Sequence, residues 1–383
     1  MVSLLIILFT YLVVDVTGCD QLVSLPISVT SRINAKNFNR DSTISFSFLN
    51  FTNIDDRKNL QPELIELLAS RTASFISYAS EFTSIIGTCP QLTLIEQRCP
   101  NLPFAHEGGA YIPETNEVWF TANQLPVQNT NISSINLLTN QVQLVDIYPP
   151  IVTPNGVNYF EGYAYVCSQG NKTTPGGIYA VNPTTRISRL VVNSWFGFRL
   201  NSPNDVTFSS KIAGRKFMWF TDPQVAFMQG FSTSPQFRST VFRFDLLTSE
   251  LRPVITDLII PNGIAFNLAE TVLYITDTSS DDNIRMVYAY DLTDDGFPIN
   301  RRIFSIGSLG IPDGIRVDLN DRVWIAEGDG LNVRDQHGTL LGVILGRNLC
   351  ANGVISNFAL VKNTIILLAQ ESLWRLNIST NLL

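Results

Sequence analysis

Four polar residues stand at equivalent points of a repeating pattern and could hold a hard cation: Glu107, Asn204, Asn262 and Asp313. Each opens a short run, in Glu107-Gly-Gly-Ala-Tyr111, Asn204-Asp-Val-Thr-Phe208, Asn262-Gly-Ile-Ala-Phe266 and Asp313-Gly-Ile-Arg-Val317. All four side chains offer oxygen, and none offers sulfur or an imidazole nitrogen. Carboxylate and amide oxygens suit Ca2+ on coordination grounds, with Zn2+, Mn2+ and Mg2+ as the other ions to consider. Two carboxylates offset a charge of +2, and the neutral amides add donors without more repulsion. A divalent cation so held polarises a carbonyl and lowers the pKa of a bound water. Asp313, a ligand with one free oxygen, could take that water's proton. Taken singly, Pro261-Asn-Gly263 and Pro312-Asp-Gly314 read as turns. The shared register in several repeats favours a common site.

Other chemistries find less support. The chain has only two histidines, His106 and His337. A Ser-His-Asp triad would have to use one of them. His106 abuts Glu107 and reads as a loop residue or as a contact to substrate. His337 lies in Asp335-Gln-His-Gly338, a turn by composition. No Cys/His spacing suggests zinc, and no phosphate-binding or dinucleotide loop is present. Asp222 and Asp277 end second runs and read as acceptors that tie turns or repeats together. Trp195, Phe196 and Phe198 read equally well as a pocket wall or as core packing.

The elements that must position these residues are short strands. From Ala105 onward, alternating or apolar runs recur between Gly, Pro, Asn and Asp turns, the signature of an all-β chain. A second, aromatic-containing run follows each first one: Val118-Trp-Phe-Thr121, Met218-Trp-Phe-Thr-Asp222, Leu273-Tyr-Ile-Thr-Asp277 and Val323-Trp-Ile-Ala-Glu327. Third and fourth runs close several units. A period of roughly 50 residues fits a four-stranded blade. Unit starts near 107, 160, 204, 262, 313 and 352 predict a six-bladed β-propeller over residues 101–383. The innermost strand of each blade lines a central channel, so first-run residues of different blades converge there.

The 383 residues, 45% hydrophobic and 15% charged, supply a large core and argue against disorder. A net charge of -7 and a pI near 5.0 make nucleic acid a poor partner. Residues 1–18 read as a signal peptide, apolar from Val2 to Val14 and followed by Thr17 and Gly18, so the expected location is extracellular. No later stretch is long and apolar enough to span a bilayer, and a monomer is expected. N-glycosylation sequons stand at Asn50, Asn131, Asn171 and Asn377. Residues 19–100 read as an N-terminal extension packed on the propeller, with a helix near 62–80 and the option of one atypical strand. Five cysteines fit an oxidising compartment. Cys89 and Cys99 are expected to pair, Cys167 to be a buried free thiol, and a clasp between Cys19 and Cys350 is possible on sequence grounds.

Several segments together resemble the gluconolactonase/regucalcin (senescence marker protein) family: His106-Glu-Gly-Gly109, Asn201-Ser-Pro-Asn-Asp-Val206, Trp219-Phe-Thr-Asp-Pro223, Pro261-Asn-Gly-Ile264 and Ile311-Pro-Asp-Gly314. The resemblance covers about residues 105 to 370. It implies a propeller with a divalent metal in its channel and hydrolysis of sugar lactones or related esters. It places the metal Glu on Glu107, the metal Asn on Asn262, and the metal Asp, proposed also as general base, on Asp313. Asn204 matches a position that binds metal in some members and substrate in others. An Arg that some sugar-lactone hydrolases carry two residues earlier is Ser202 here. The expected activity is therefore a metal-dependent lactonase or esterase on a small molecule. The alternatives are a non-catalytic calcium-binding propeller that binds a ligand or protein, and a strictosidine-synthase-like enzyme.

Overall fold

The computed structural model describes residues 15–16, 22–24, 74–99, 102–125, 130–279, 285–307, 310–351 and 353–382. Its strands form six antiparallel blades, each counted here from the channel outward. Blade one is Glu107–Ile112, Glu117–Thr121, Ile132–Asn136 and Val142–Leu144. Blade two is Pro154–Phe160, Tyr163–Ser168, Gly177–Val181 and Ser188–Val192. Blade three is Val206–Ser209, Phe217–Asp222, Thr240–Asp245 and Leu251–Ile255. Blade four is Pro261–Phe266, Val272–Asp277, Met286–Leu292 and Pro298–Ile306.

The last two blades recruit the start of the chain. Blade five runs Ile315–Val317, Val323–Glu327, Gly330–Arg334 and Leu340–Leu345, then adds Phe75–Ser77 and Leu22–Ser24 at its edge. Blade six takes Asn357–Val361, Thr364–Ala369 and Ser372–Asn377 from the end of the chain. Its next strand is Gln91–Gln97, antiparallel to Ser372–Asn377, with Asp15–Val16 outside it. Pairing early residues with the last blade closes the ring and leaves no open edge at that seam.

Burial explains the sequence pattern of each strand position. Second and third strands lie between neighbouring blades and are covered on both faces, so Phe217–Asp222 and Thr240–Asp245 are buried throughout. Outer strands such as Leu251–Ile255 keep one face in water and alternate less strictly. The second-strand tryptophans Trp119, Trp219 and Trp324 are fully buried. Each packs on the next blade: Trp119 against Val157 and Val166, Trp219 against Ile264 and Ile275, Trp324 against Phe358 and Ile365. Their indole N–H groups bond Glu117 Oε2, Ser209 Oγ and Asp318 Oδ2 at 2.9–3.0 Å, which removes the cost of burying a donor. Cys167 is buried and free, as its apolar strand suggested.

Two expectations for the early residues need correction. Within the described part of the span 62–80, residues 75–77 are a strand, and the helix begins only at its end, as Ser80–Ile86. Phe75 and Ile76, inside the span expected to be helical, are fully buried in the sheet of blade five instead. Residues 62–73 lie outside the described residues, as do the sequon at Asn50, Cys19 and, apart from 15–16, the signal segment. The Cys89–Cys99 pair is not formed: Cys89 is disulfide-bonded, whereas Cys99 is a free, exposed thiol, and Cys350 is in no disulfide, so the clasp between Cys19 and Cys350 is not formed either. Between the two cysteines lies the extended strand Gln91–Gln97. Seven residues at about 3.3 Å each hold its ends roughly 20 Å apart. A disulfide needs Cα atoms within about 7 Å.

Candidate functional site

The first residues of the inner strands meet at one end of the channel because the sheet is irregular there. In blade one the register shifts between Gly108 and Ala110, and Gly108 and Gly109 both have positive φ, at 86° and 87°. These glycines, which look like turn residues in sequence, form a bulge within a strand. A Cβ on Gly109 would lie 2.3 Å from the Phe358 carbonyl oxygen of blade six, so only glycine admits this approach. In blade four the register shifts between Pro261 and Ile264, around Asn262. Such bulges re-aim a side chain away from the regular pleat.

Threonines of the second strands fix where these residues sit. The buried hydroxyl of Thr221 donates to the Asn262 carbonyl at 2.7 Å, and that of Thr276 donates to the Asp313 carbonyl at 2.7 Å. Thr121 makes the equivalent bond to the Asn155 carbonyl at 2.9 Å. Blades one, three and four thus clamp the backbone of an inner-strand polar residue in the next blade. Acidic residues that follow these threonines hold the approaching loops. Asp222 accepts the N–H groups of Asn201 and Ser202 at 2.9 and 2.8 Å. Asp277 does the same for Ile259 and Ile260, at 2.9 and 2.8 Å. Both are loop-tying acceptors, and neither lines the cavity described next. Removing one clamp should be felt at the site. Thr276→Val, nearly isosteric, is expected to cost about 1–2 kcal/mol of stability by orphaning the Asp313 carbonyl. It should also weaken cation binding, which calorimetry beside denaturant unfolding will show; unchanged affinity with full stability contradicts the clamp.

Glu107, Asn204, Asn262 and Asp313 all line one cavity of about 570 Å³, together with His106. The four oxygen-bearing residues are buried or nearly so. Asn204 Oδ1, Asn262 Oδ1 and Asp313 Oδ1 have no hydrogen-bond partner. Buried acceptors left unpaired cost free energy, and three aimed into one cavity make a site that fits a cation. Glu107 Oε2 accepts from Asn357 Nδ2 at 3.2 Å, which steers its carboxylate.

Charge supports the same fit. Burial pushes the Glu107 carboxyl well above the usual carboxylate range, and the charge of Asp313 pushes it further. Burial raises Asp313 to about 7, helped by the charge of Asp205. Asp205, one residue along from Asn204, is itself paired with Arg316 at 3.2 Å. Arg316 also donates to the Gly108 carbonyl at 2.8 Å, so it ties three inner strands together and is engaged away from the oxygen cluster. Two buried carboxylates facing each other are destabilised as anions unless a cation lies between them.

His106 belongs to the cluster. Its ring, Glu107 and Asp313 offer donor atoms within 4.8 Å of one another. Burial lowers its pKa to about 4, so the imidazole is neutral at pH 7. Nδ1 lies 2.9 Å from Gln370 Oε1 and 3.0 Å from Ser356 Oγ. The carbonyl of Gln370 requires a donor, which assigns the proton to Nδ1 and leaves Nε2 as an acceptor. Nε2 stands 3.7 Å from Glu107 Oε1.

Asn155 was not singled out in the sequence, yet it lines the cavity, is 8% exposed, and has an unpaired Oδ1. Pro154-Asn-Gly156 repeats Pro261-Asn-Gly263. The unit start placed near 160 falls at the end of that inner strand, six residues after Pro154. Asn357, Gln370 and Ser356 were missed as well, because their roles arise from contacts between the last blade and the first. The aromatic hairpin Ser194–Trp195 and Phe198–Arg199 walls a separate surface groove instead, with Trp195 packed on Phe237 and Phe242.

Comparison with known proteins agrees with the fold and identifies the family. The lactonohydrolase oryH of Aspergillus oryzae is 27% identical over 312 residues, which cover 62% of this chain and 66% of that protein. The gluconolactonase of Zymomonas mobilis is 29% identical over 202 residues, covering 49% of this chain and 52% of that one. The chain thus spans between about half and two thirds of the length of these curated relatives. Two solved structures share the fold. A gluconolactonase from Xanthomonas campestris matches with a TM-score of 0.65 and 24% identity, covering 78% of this chain and 93% of that one. Regucalcin from Agrobacterium tumefaciens, a calcium-binding protein, matches with a TM-score of 0.55 and 13% identity, covering 76% and 93%. Residues 106–355, well over half of the chain and inclusive of all four oxygen-bearing residues, match the SMP-30/gluconolactonase/LRE-like region, and the chain belongs to that family.

Proposed function

We propose that the protein hydrolyses a lactone or related ester with the help of one divalent cation, calcium in the first instance, held by Glu107, Asn204, Asn262 and Asp313. The observation that carries this reading is the convergence on one cavity of four unpaired, buried oxygens, from Asn155, Asn204, Asn262 and Asp313, with the carboxylate of Glu107 beside them. The lactonohydrolase and gluconolactonase relatives support the reaction class. A bound divalent cation would supply Lewis-acid polarisation of the ester carbonyl and a lowered pKa for water. The residues of the chain do the rest. Asp313 accepts a proton from the attacking water, with its carbonyl fixed by Thr276. Glu107, steered by Asn357, offsets positive charge. Neutral His106 presents Nε2 toward the substrate side and adds a second proton acceptor.

Secretion is part of the proposal and rests on the apolar segment Val2 to Val14. Asn131 and Asn377 lie exposed, as glycan acceptors must. The deciding experiment is a screen of the purified protein against sugar lactones, alkyl lactones and aryl esters, with and without added calcium, zinc, manganese or magnesium. Turnover of one class that a chelator removes is the expected result. Calcium binding without turnover of any class replaces this reading with that of a calcium-holding binding protein.

A further inference from the structure

The same cavity has a mixed lining. Blades one and two give amides, from Asn123, Asn155 and Gln169. Blades three to six give the aliphatic side chains Val225, Ile260, Ile311 and Val354, beside the polar Gln229, Thr278, Ser356 and Gln370. The aliphatic positions follow the repeat in part. Ile260 and Ile311 each stand two residues before an inner-strand polar residue, Asn262 and Asp313. Blade three departs from that rule in an informative way. Its counterpart, Ser202, is fully buried and turned inward. Its hydroxyl donates to the Pro223 carbonyl and accepts the N–H of Ala226 at 3.2 Å. Those bonds pin the short helix Val225–Met228, which brings Val225 to the cavity wall in place of an isoleucine.

Two further facts narrow the ligand. Among the described residues no lysine or arginine lines the cavity, so beyond the reach of a bound cation an anionic group on the substrate meets no cationic side chain. Ile311 is 39% exposed and Ile259, next to the wall residue Ile260, is 46% exposed, so apolar surface stands open to water beside the mouth. Water-exposed aliphatic surface bordering a reactive centre gains from covering by an aliphatic ligand.

From this arrangement we infer that the substrate is a neutral lactone carrying an aliphatic substituent. Its ring carbonyl meets the oxygen cluster, and its chain lies along Val225, Ile260, Ile311 and Val354. This rests on the hydrolase reading above and adds the substrate class to it. A polyhydroxylated sugar lactone could pair its hydroxyls only with the polar lining, and any hydroxyl turned toward Val225, Ile260, Ile311 or Val354 would go unpaired at a cost.

The test is a series of γ-lactones with alkyl groups from methyl to octyl, assayed with the cation present. Each buried methylene should raise kcat/KM about threefold until the wall is covered. Ile311→Asn should flatten that slope, read as the ratio of octyl to methyl substrate. A flat or falling chain-length dependence, or a preference for gluconolactone over every alkyl lactone, overturns the inference while leaving the hydrolase reading standing. Should no lactone be hydrolysed, the hydrolase reading fails, and the matching 2-alkylcyclopentanones, which cannot be hydrolysed, decide the rest by calorimetry. Affinity that climbs with chain length supports the aliphatic wall as a binding site, and affinity independent of length refutes it.

Discussion

Asp313→Asn is expected to lower kcat by on the order of a thousandfold, since it removes a proton acceptor and one anionic oxygen at once. The same change is expected to raise the unfolding temperature of the metal-free protein. Asp313 is a buried carboxylate whose anion is disfavoured by burial and by Asp205, and asparagine keeps its shape without its charge. Its backbone stays in place, because the Thr276 bond runs to the carbonyl and not to the side chain. Activity and metal-free stability should therefore move in opposite directions, a pairing that a purely structural role does not produce. Steady-state kinetics and a thermal melt in chelator test both halves. Retention of full activity removes Asp313 from the chemistry. Glu107→Gln makes a companion case, expected to lose turnover with the fold intact.

A second large effect concerns pH. In the folded, metal-free protein Asp313 titrates near 7 against an ordinary value of 3.8, and Glu107 is held well above its ordinary 4.5. Across the interval between those values the folded state binds more protons than the unfolded one. Stability then falls as pH rises, and the loss is complete above the folded pKa. His106 acts in the opposite sense between about 4 and 6.5, because there the unfolded chain holds a proton that the folded one has shed. Above pH 6.5 that opposing contribution is spent and the raised carboxylates remain, joined by Asp222, which burial lifts to about 7. The metal-free unfolding temperature should drop by on the order of 5 °C between pH 6 and pH 8. Calcium requires both carboxylates ionised, so its binding should release protons below pH 8 and its stabilising effect should grow with pH. Melts at both pH values, with calcium and with chelator, check this; a calcium effect independent of pH contradicts a site built on raised carboxylates.

The ring was legible in the sequence because its inner units repeat the same four runs, and because Trp-Phe-Thr-Asp and its variants mark second strands. The four oxygen-bearing residues were legible for a related reason, since a polar residue in one register of several blades points at one axis. Asn155 escaped because blade two lacks the marker. Its second strand ends Val166-Cys-Ser168 where blade three has Phe220-Thr-Asp222. Without that landmark, Pro154-Asn-Gly156 blends into the preceding Pro149-Pro150 turn. Closure by Gln91–Gln97 could not be read locally, because its partner strand, Ser372–Asn377, comes from the other end of the sequence. Phe75 and Ile76 were misread because two adjacent apolar residues satisfy either period, and tertiary burial in blade five chose the strand. His106 was underrated as a member of the cluster. Its neutrality depends on burial by blade six, which no spacing reveals.

The strand Gln91–Gln97 has an implication for assembly in time. It is synthesised ahead of every blade, yet the surface it pairs with exists only once Ser372–Asn377 has emerged. Until then it offers an open backbone edge to any passing chain, while the first blades have no neighbour on that side. Contacts of such long sequence separation are slow to form because the loop entropy must be paid before any contact returns it. Nascent protein should thus pass through an unlatched ring, and substitutions along this seam should show first as lost yield rather than as an altered reaction.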